Sequence, residues 1–193
     1  MGLAAELGPD VNLIGTNVIN QRVREIVRAD AWFAGILGLI LVAALLYLDF
    51  RTLRHTVLAL APLAIGILWM LGAMSLLGMK LNFMNIFVTT MIIGIGVDYG
   101  LHVLHRYRES RDADDAEHRR ALTETGNAIV VAALSTVVGF GSLSFSHYPG
   151  LRSVGYVAVL GATSTSLVAV TLLPAFLAWL RASRNARAAK RAG

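Results

Sequence analysis

Five apolar runs, each long enough to cross a lipid bilayer as a helix, constrain this chain more than any other feature. A hydrocarbon core about 30 Å thick needs about 20 apolar residues of helix. Runs of that kind occupy about residues 31–48, 56–77, 84–104, 127–145 and 154–180. Within lipid, only helices and closed barrels pair every backbone N–H and C=O. Barrel strands would appear as alternating segments of about 10 residues, a pattern this sequence does not follow. The expectation is therefore an all-α, polytopic membrane helix bundle of five transmembrane helices. A soluble domain carries about 25% charged residues, whereas this chain carries 15% and is 56% hydrophobic.

The charges that remain sit beside the runs. The link after the first run carries Arg51 and Arg54. The link after the third carries Arg106, Arg108, Arg111, Arg119 and Arg120, and the tail carries Arg181, Arg184, Arg187, Lys190 and Arg191. These segments lie on one side and hold 12 of the 17 lysines and arginines. The opposite links hold only Lys80 and Arg152. The positive-inside rule then predicts a cytoplasmic C-terminus and an outer, periplasmic N-terminus. The net charge of +5 is explained by topology, so no nucleic-acid partner is expected. With no cysteine in the chain, disulfides and thiolate metal sites are excluded, and no cofactor or metal is expected.

Three segments follow: residues 1–30 as an outer-side lead-in, 31–181 as the membrane domain, and 182–193 as a basic cytoplasmic tail. The lead-in lacks the early basic region and apolar core of a signal peptide. Its Arg22, Arg24 and Arg28, with Val23, Ile26 and Val27 between them, suggest an amphipathic helix at the interface and run against the charge rule. The charge-rich link 106–125 reads as a solvated helix or loop. Pro62 and Pro174 read as kinks or helix ends, and Asn82 and Asn85 as caps on the outer end of the third span.

Asp98 is the only acidic residue placed well inside a run. A carboxylate there costs about 2.5–3.5 kcal/mol on insertion scales, and low dielectric disfavours its charged form. The functional reading is reversible protonation; the plain alternative is a carboxyl hydrogen-bonded for packing. Gly94, Gly96 and Gly100 surround it, and Gly96 and Gly100 form the G-x-x-x-G spacing that lets helices approach closely. Gly94, four residues before Asp98, shares its face. Tyr99 carries a hydroxyl able to donate or accept, about 100° around the helix from Asp98. His102 and His105 follow at one and two turns, either as a proton path or as interfacial residues. Ser135 and Thr136, midway along the fourth run, either bond back to their own helix or reach Asp98. Thr163, Ser164, Thr165 and Ser166 fit a close helix interface.

The string Gly94-Ile-Gly-Val-Asp-Tyr-Gly-Leu-His-Val-Leu-His-Arg-Tyr-Arg-Glu109 resembles the signature helix of the RND superfamily, in its MMPL-like branch that includes hopanoid transporters. Phe50-Arg51, Pro62-Leu-Ala-Ile-Gly66, Ser135-Thr136-Val-Val-Gly139-Phe140 and Leu173-Pro174 fit the same likeness. It covers about residues 15–181. The resemblance implies a proton-driven exporter of lipids or other hydrophobic molecules in the bacterial inner membrane. It implies Asp98 and Tyr99 as the proton-relay pair, with Asp98 titrating. It also implies two halves, each with one helix, a porter domain and five helices, the aspartate of one half lying near the tyrosine of the other. On that likeness the chain is the last five helices of a half, a fragment or a subunit, working with the other half or a second copy.

A sterol-sensing-like module that binds lipid or regulates without transport is the competing expectation. An intramembrane aspartyl protease needs a Gly-x-Gly-Asp string and a second membrane aspartate. Val97 interrupts the first and the second is missing from the runs, so an enzyme is not expected.

Overall fold

The computed structural model describes residues 16–80, 82–111 and 113–192. Six helices follow one another: α1 (Thr16–Phe50), α2 (Leu53–Leu76), α3 (Phe83–Glu109), α4 (Asp115–Gly141), α5 (Pro149–Val170) and α6 (Leu172–Ala192). A short 3-10 helix, Ser142–Phe145, extends α4. Five helical stretches are long and apolar enough to cross a membrane: Ala29–Phe50, Leu53–Leu76, Met84–Glu109, Asp115–Phe145 and Pro149–Ser183. The chain is a multi-pass, all-α membrane bundle.

Local chemistry sets the ends. The Asn82 side chain accepts from the Met84 and Asn85 amides at 2.9 and 3.0 Å, and the Asn85 side chain accepts from the Asn82 amide at 2.8 Å. This reciprocal capping box starts α3, as the two asparagines led one to expect. Asp114 caps α4 by accepting from the Glu117 amide at 2.7 Å. Pro149 occupies the first turn of α5, where its missing N–H is no loss. Gly78, at φ +65°, closes the turn after α2.

Three boundaries depart from the sequence reading. The lead-in from Thr16 onward is continuous with the first span in a single 35-residue helix, not a separate interfacial one. α4 starts at Asp115, so much of the supposed link is the first three turns of a membrane helix. The fifth span is two helices parted at Thr171. Pro174 explains the last, because it has no N–H for the carbonyl of residue 170 and its ring collides with that carbonyl. Pro62, by contrast, lies buried inside an unbroken α2, where neighbouring helices tolerate it.

Helix α5 is the hub. It packs against α2, α3 and α4, while α1 rests on α3 and α2. Small residues make this possible. A Cβ added to Gly66 of α2 would lie 2.6 Å from Thr165 Cα of α5, and one on Gly96 of α3 would lie 3.2 Å from Thr165 Cγ2. Thr165 is fully buried and satisfies its hydroxyl on the Gly161 carbonyl at 2.8 Å. One core cluster, around Leu63, Val103, Leu104 and Leu177, fills the half of the bundle toward the basic links. Another, around Met70, Ile92 and Val157, fills the other half.

The outside is apolar. Trp32, Phe33, Ile40, Leu45 and Leu48 of α1 and Val131, Leu134 and Val138 of α4 are exposed. A soluble protein does not present so large a contiguous patch. Between these greasy flanks, α3 presents a narrower polar face.

Candidate functional site

That polar face opens on a groove of about 680 Å³ between α3 and α4. Helix α3 contributes Ile95, Asp98, Tyr99, His102, His105, Arg106 and Glu109, and α4 contributes Glu124, Thr125, Ala128, Ile129, Ala132 and Thr136. Both helices pack on α5, which fixes the separation of the groove walls from behind.

Asp98 lies on the exposed side of α3, in line with Gly94, His102 and His105. Spacings of four and three residues put these on one stripe. The Asp98 carboxylate makes no hydrogen bond or ion pair among the described residues. Tyr99, one position on, turns inward and is 4% exposed. Its hydroxyl is buried without a hydrogen-bond partner among the described residues. The adjacent pair thus addresses different surroundings, as the helical rotation between them requires, while both line the same groove.

The other expected members divide. Thr136 lines the groove, with its hydroxyl donating to the Ala132 carbonyl at 3.2 Å. Ser135 is not among the lining residues; it is exposed and donates to the Val131 carbonyl at 3.0 Å. Its hydroxyl is spent on its own helix, which is the alternative that removes it from Asp98. Gly96 packs against Leu63 and Thr165, and Gly100 against the Ala59 backbone. Gly94 corrects the expectation of three packing glycines: it is exposed, and an added Cβ there would meet nothing within 4 Å.

The two histidines also separate. His105 Nε2 lies 2.7 Å from Asp49 Oδ2, and its ring sits 4.9 Å from the Phe50 ring. Arg108 lies over the other contact of this corner, 5.3 Å from the Phe50 centroid. His105 therefore ties α3 to the end of α1. His102 is exposed on the groove with no side-chain partner among the described residues.

At the basic end the groove closes on charges that the sequence reading assigned to a solvated link. Arg106 contacts Glu109 at 2.9 Å on its own helix and Glu124 at 3.7 Å across the groove. Glu124 is held in turn by Arg120 at 2.9 Å. The four-residue spacing of Arg120 and Glu124 was the available signal that this segment is helical and self-paired. At the opposite end, Ser153 of α5 accepts from Asn82 Nδ2 at 3.1 Å and Asn85 Nδ2 at 2.8 Å, locking the start of α3 to α5.

Comparison with known proteins places the chain in a family. Residues 3–193 match the model of the MMPL family. A putative membrane protein of Methanocaldococcus jannaschii is 33% identical over 173 residues, 88% of this chain and 45% of that protein. The hopanoid transporter HpnN of Burkholderia multivorans is 29% identical over 151 residues, 78% of this chain and 16% of the transporter. The trehalose monomycolate exporter of Mycolicibacterium smegmatis is 28% identical over 182 residues, 90% of this chain and 18% of the exporter. The chain thus spans less than half of the length of each of these relatives. A bundle of membrane-length helices, with an acid on the groove face of its third span and a family match running almost end to end, belongs to the MMPL family.

Proposed function

We propose that this bundle is the membrane module of an exporter of lipids or other hydrophobic molecules, driven by the proton-motive force through Asp98. One observation carries the reading: a carboxylate in mid-span faces an open groove with no partner among the described residues. Left against lipid it would cost about 2.5–3.5 kcal/mol. Moving one charge through 100 mV is worth about 2.3 kcal/mol. The two are of the same order, so a membrane potential is large enough to bias whether Asp98 holds its proton. Protonation removes the charge and lets the groove close; loss of the proton favours an open, wetted groove.

A carboxylate on an exposed face also favours a further helical surface over α3 and α4. We assign that role to the other half of a larger transporter or to a second copy. Tyr99 belongs to the same relay, as a buried hydroxyl beside the acid. The hydrophobic cargo follows from the hopanoid and trehalose monomycolate carried by the named relatives. The basic links and tail favour a cytoplasmic face at that end of the bundle, in the inner membrane of a bacterial cell.

The test is Asp98→Asn in the intact transporter reconstituted into vesicles with an imposed proton gradient. Asparagine keeps the shape and removes titration. Gradient-driven lipid export is expected to fall to the leak rate at unchanged protein level. Export at the unsubstituted rate would refute the reading.

A further inference from the structure

We infer that His102 carries the proton between Asp98 and the basic end of the groove, and that Arg106 and Glu124 form the polar mouth through which it leaves or enters. This rests on the proposed proton-coupled role of Asp98 and adds the route and its residues.

The geometry separates His102 from every other candidate. Asp98 and His102 are one helical turn apart on the same exposed stripe, and both line the groove. Side chains at that spacing have Cβ atoms about 5–6 Å apart, a gap that one bridging water closes. His105 is the alternative on the same helix, but its ring is engaged by Asp49 at 2.7 Å and by Phe50. Tyr99 turns inward, and Thr136 donates to its own helix. The charged or titratable groups facing His102 along the groove are Asp98, His105, Arg106 and Glu109 from α3 and Glu124 from α4. Arg106 is paired with both glutamates, and Glu124 also with Arg120. The mouth is thus a set of nearly balanced charges, not a hydrophobic plug.

An imidazole suits this position because it holds one proton and presents a second nitrogen. In the inward step the Asp98 O–H bond breaks and an N–H bond forms on one ring nitrogen of His102. The imidazolium then loses the proton of its other nitrogen to a water at the mouth, beside Glu124. Ring rotation restores the starting tautomer. No electron pair changes owner beyond these proton transfers, and no co-reactant is needed.

The experiment uses the intact transporter in proteoliposomes carrying a pH-sensitive dye, with His102→Gly, His105→Gln and Asp98→Asn compared at equal protein level. A positioned proton-transfer group contributes about 10²–10⁴-fold to its step. His102→Gly is expected to lower gradient-driven proton uptake at least tenfold. Imidazole added at tens of millimolar is expected to restore it, since a diffusible base of the same chemistry fits the vacated site. His105→Gln is expected to lower the melting temperature and to show no imidazole effect. Uptake by His102→Gly at the unsubstituted rate overturns the inference, as does a loss that imidazole leaves unchanged. If Asp98→Asn still drives uptake, the proposed function itself fails; if only the histidine result fails, the relay stands and its route lies elsewhere. The NMR titration of labelled His102 is compared between the unsubstituted transporter and Asp98→Asn, and the two curves must differ. Identical titration overturns the inference without relying on the glycine variant.

Discussion

Gly100→Ala tests the packing that positions the relay residues, and its cost follows from the geometry. An added Cβ on Gly100 would lie 3.0 Å from the carbonyl carbon of Ala59 in α2, with the carbonyl oxygen nearer still. Carbon atoms rest at about 3.5–4.0 Å. The obstacle is backbone inside a helix, so no rotamer change clears it and α2 and α3 must part by about 1 Å. Overpacking of this kind costs about 1–3 kcal/mol. The alanine regains about 0.5–1 kcal/mol of helix preference, leaving a net loss of up to about 2.5 kcal/mol. At about 2–4 °C per kcal/mol for a chain of this size, the melting temperature in detergent should fall by up to about 10 °C, and by the full overpacking cost relative to the Gly94→Ala control. Gly94→Ala supplies the internal control on the same helix. With nothing within 4 Å of its Cβ, it should melt at or slightly above the unsubstituted chain. Gly96→Ala should fall between them, because one of its obstacles is the mobile Leu63 Cδ1 at 2.9 Å. Ala59→Gly should not rescue Gly100→Ala, since the colliding atoms are backbone. Equal melting of the Gly94 and Gly100 variants in this bundle would refute the assigned packing.

Other perturbations read other parts of the structure. Ser153→Ala removes the acceptor of two amide groups, one of them on the fully buried Asn85. It should cost about 1–3 kcal/mol and speed hydrogen exchange at the Met84 and Asn85 amides; unchanged exchange there would show that the α3–α5 lock is not held by this serine. Arg181 spans from α6 to the loop between α3 and α4, at 3.1 Å from Asp115 and 3.3 Å from the Ala113 carbonyl. With Asp115 largely exposed, Arg181→Ala should cost only about 1 kcal/mol or less. It should nonetheless increase proteolysis between Ser110 and Asp115, and salt should produce the same increase in the unsubstituted chain. A loop no more sensitive to protease than before would remove the arginine as its tether.

How much of this was legible before the structure depends on which physical signal each residue carries. The five spans follow from hydropathy alone, because lipid permits little else. The capping asparagines were legible because their chemistry is local to one turn. The different directions of Asp98 and Tyr99 were legible because helical rotation sets them, wherever the neighbours lie. Ser135, Gly94 and His105 were not, because their roles depend on which face α5 covers and where the end of α1 falls. Those are contacts between distant segments, and no spacing within one helix encodes them. The start of α4 was hidden for a different reason: hydropathy marks where lipid could begin, not where helix begins, and Asp114 begins this helix well outside the apolar run.

The same distinction bears on what α3 is for. A glycine near a membrane acid can serve the fold of its own bundle or a surface outside it, and sequence treats the two alike. Here the inward positions Gly96 and Gly100 are filled by α2 and α5, while Gly94 has open space at its Cβ and Asp98 and His102 face the groove without a hydrogen-bond or ion-pair partner among the described residues. One helix therefore holds two faces with different obligations. The inward face fixes the groove walls through close backbone contact, which resists displacement. The outward face keeps its titratable groups free of internal partners, so their charge can change without breaking the bundle. A variant of the inward face should move stability and transport together; Asp98→Asn should move transport while melting stays put, and His102→Gly should lose no more stability than the about 0.5–1 kcal/mol that a glycine costs inside a helix. Loss of melting temperature on removing Asp98 would mean that the acid is a packing residue after all, and the division between the faces would fall with it.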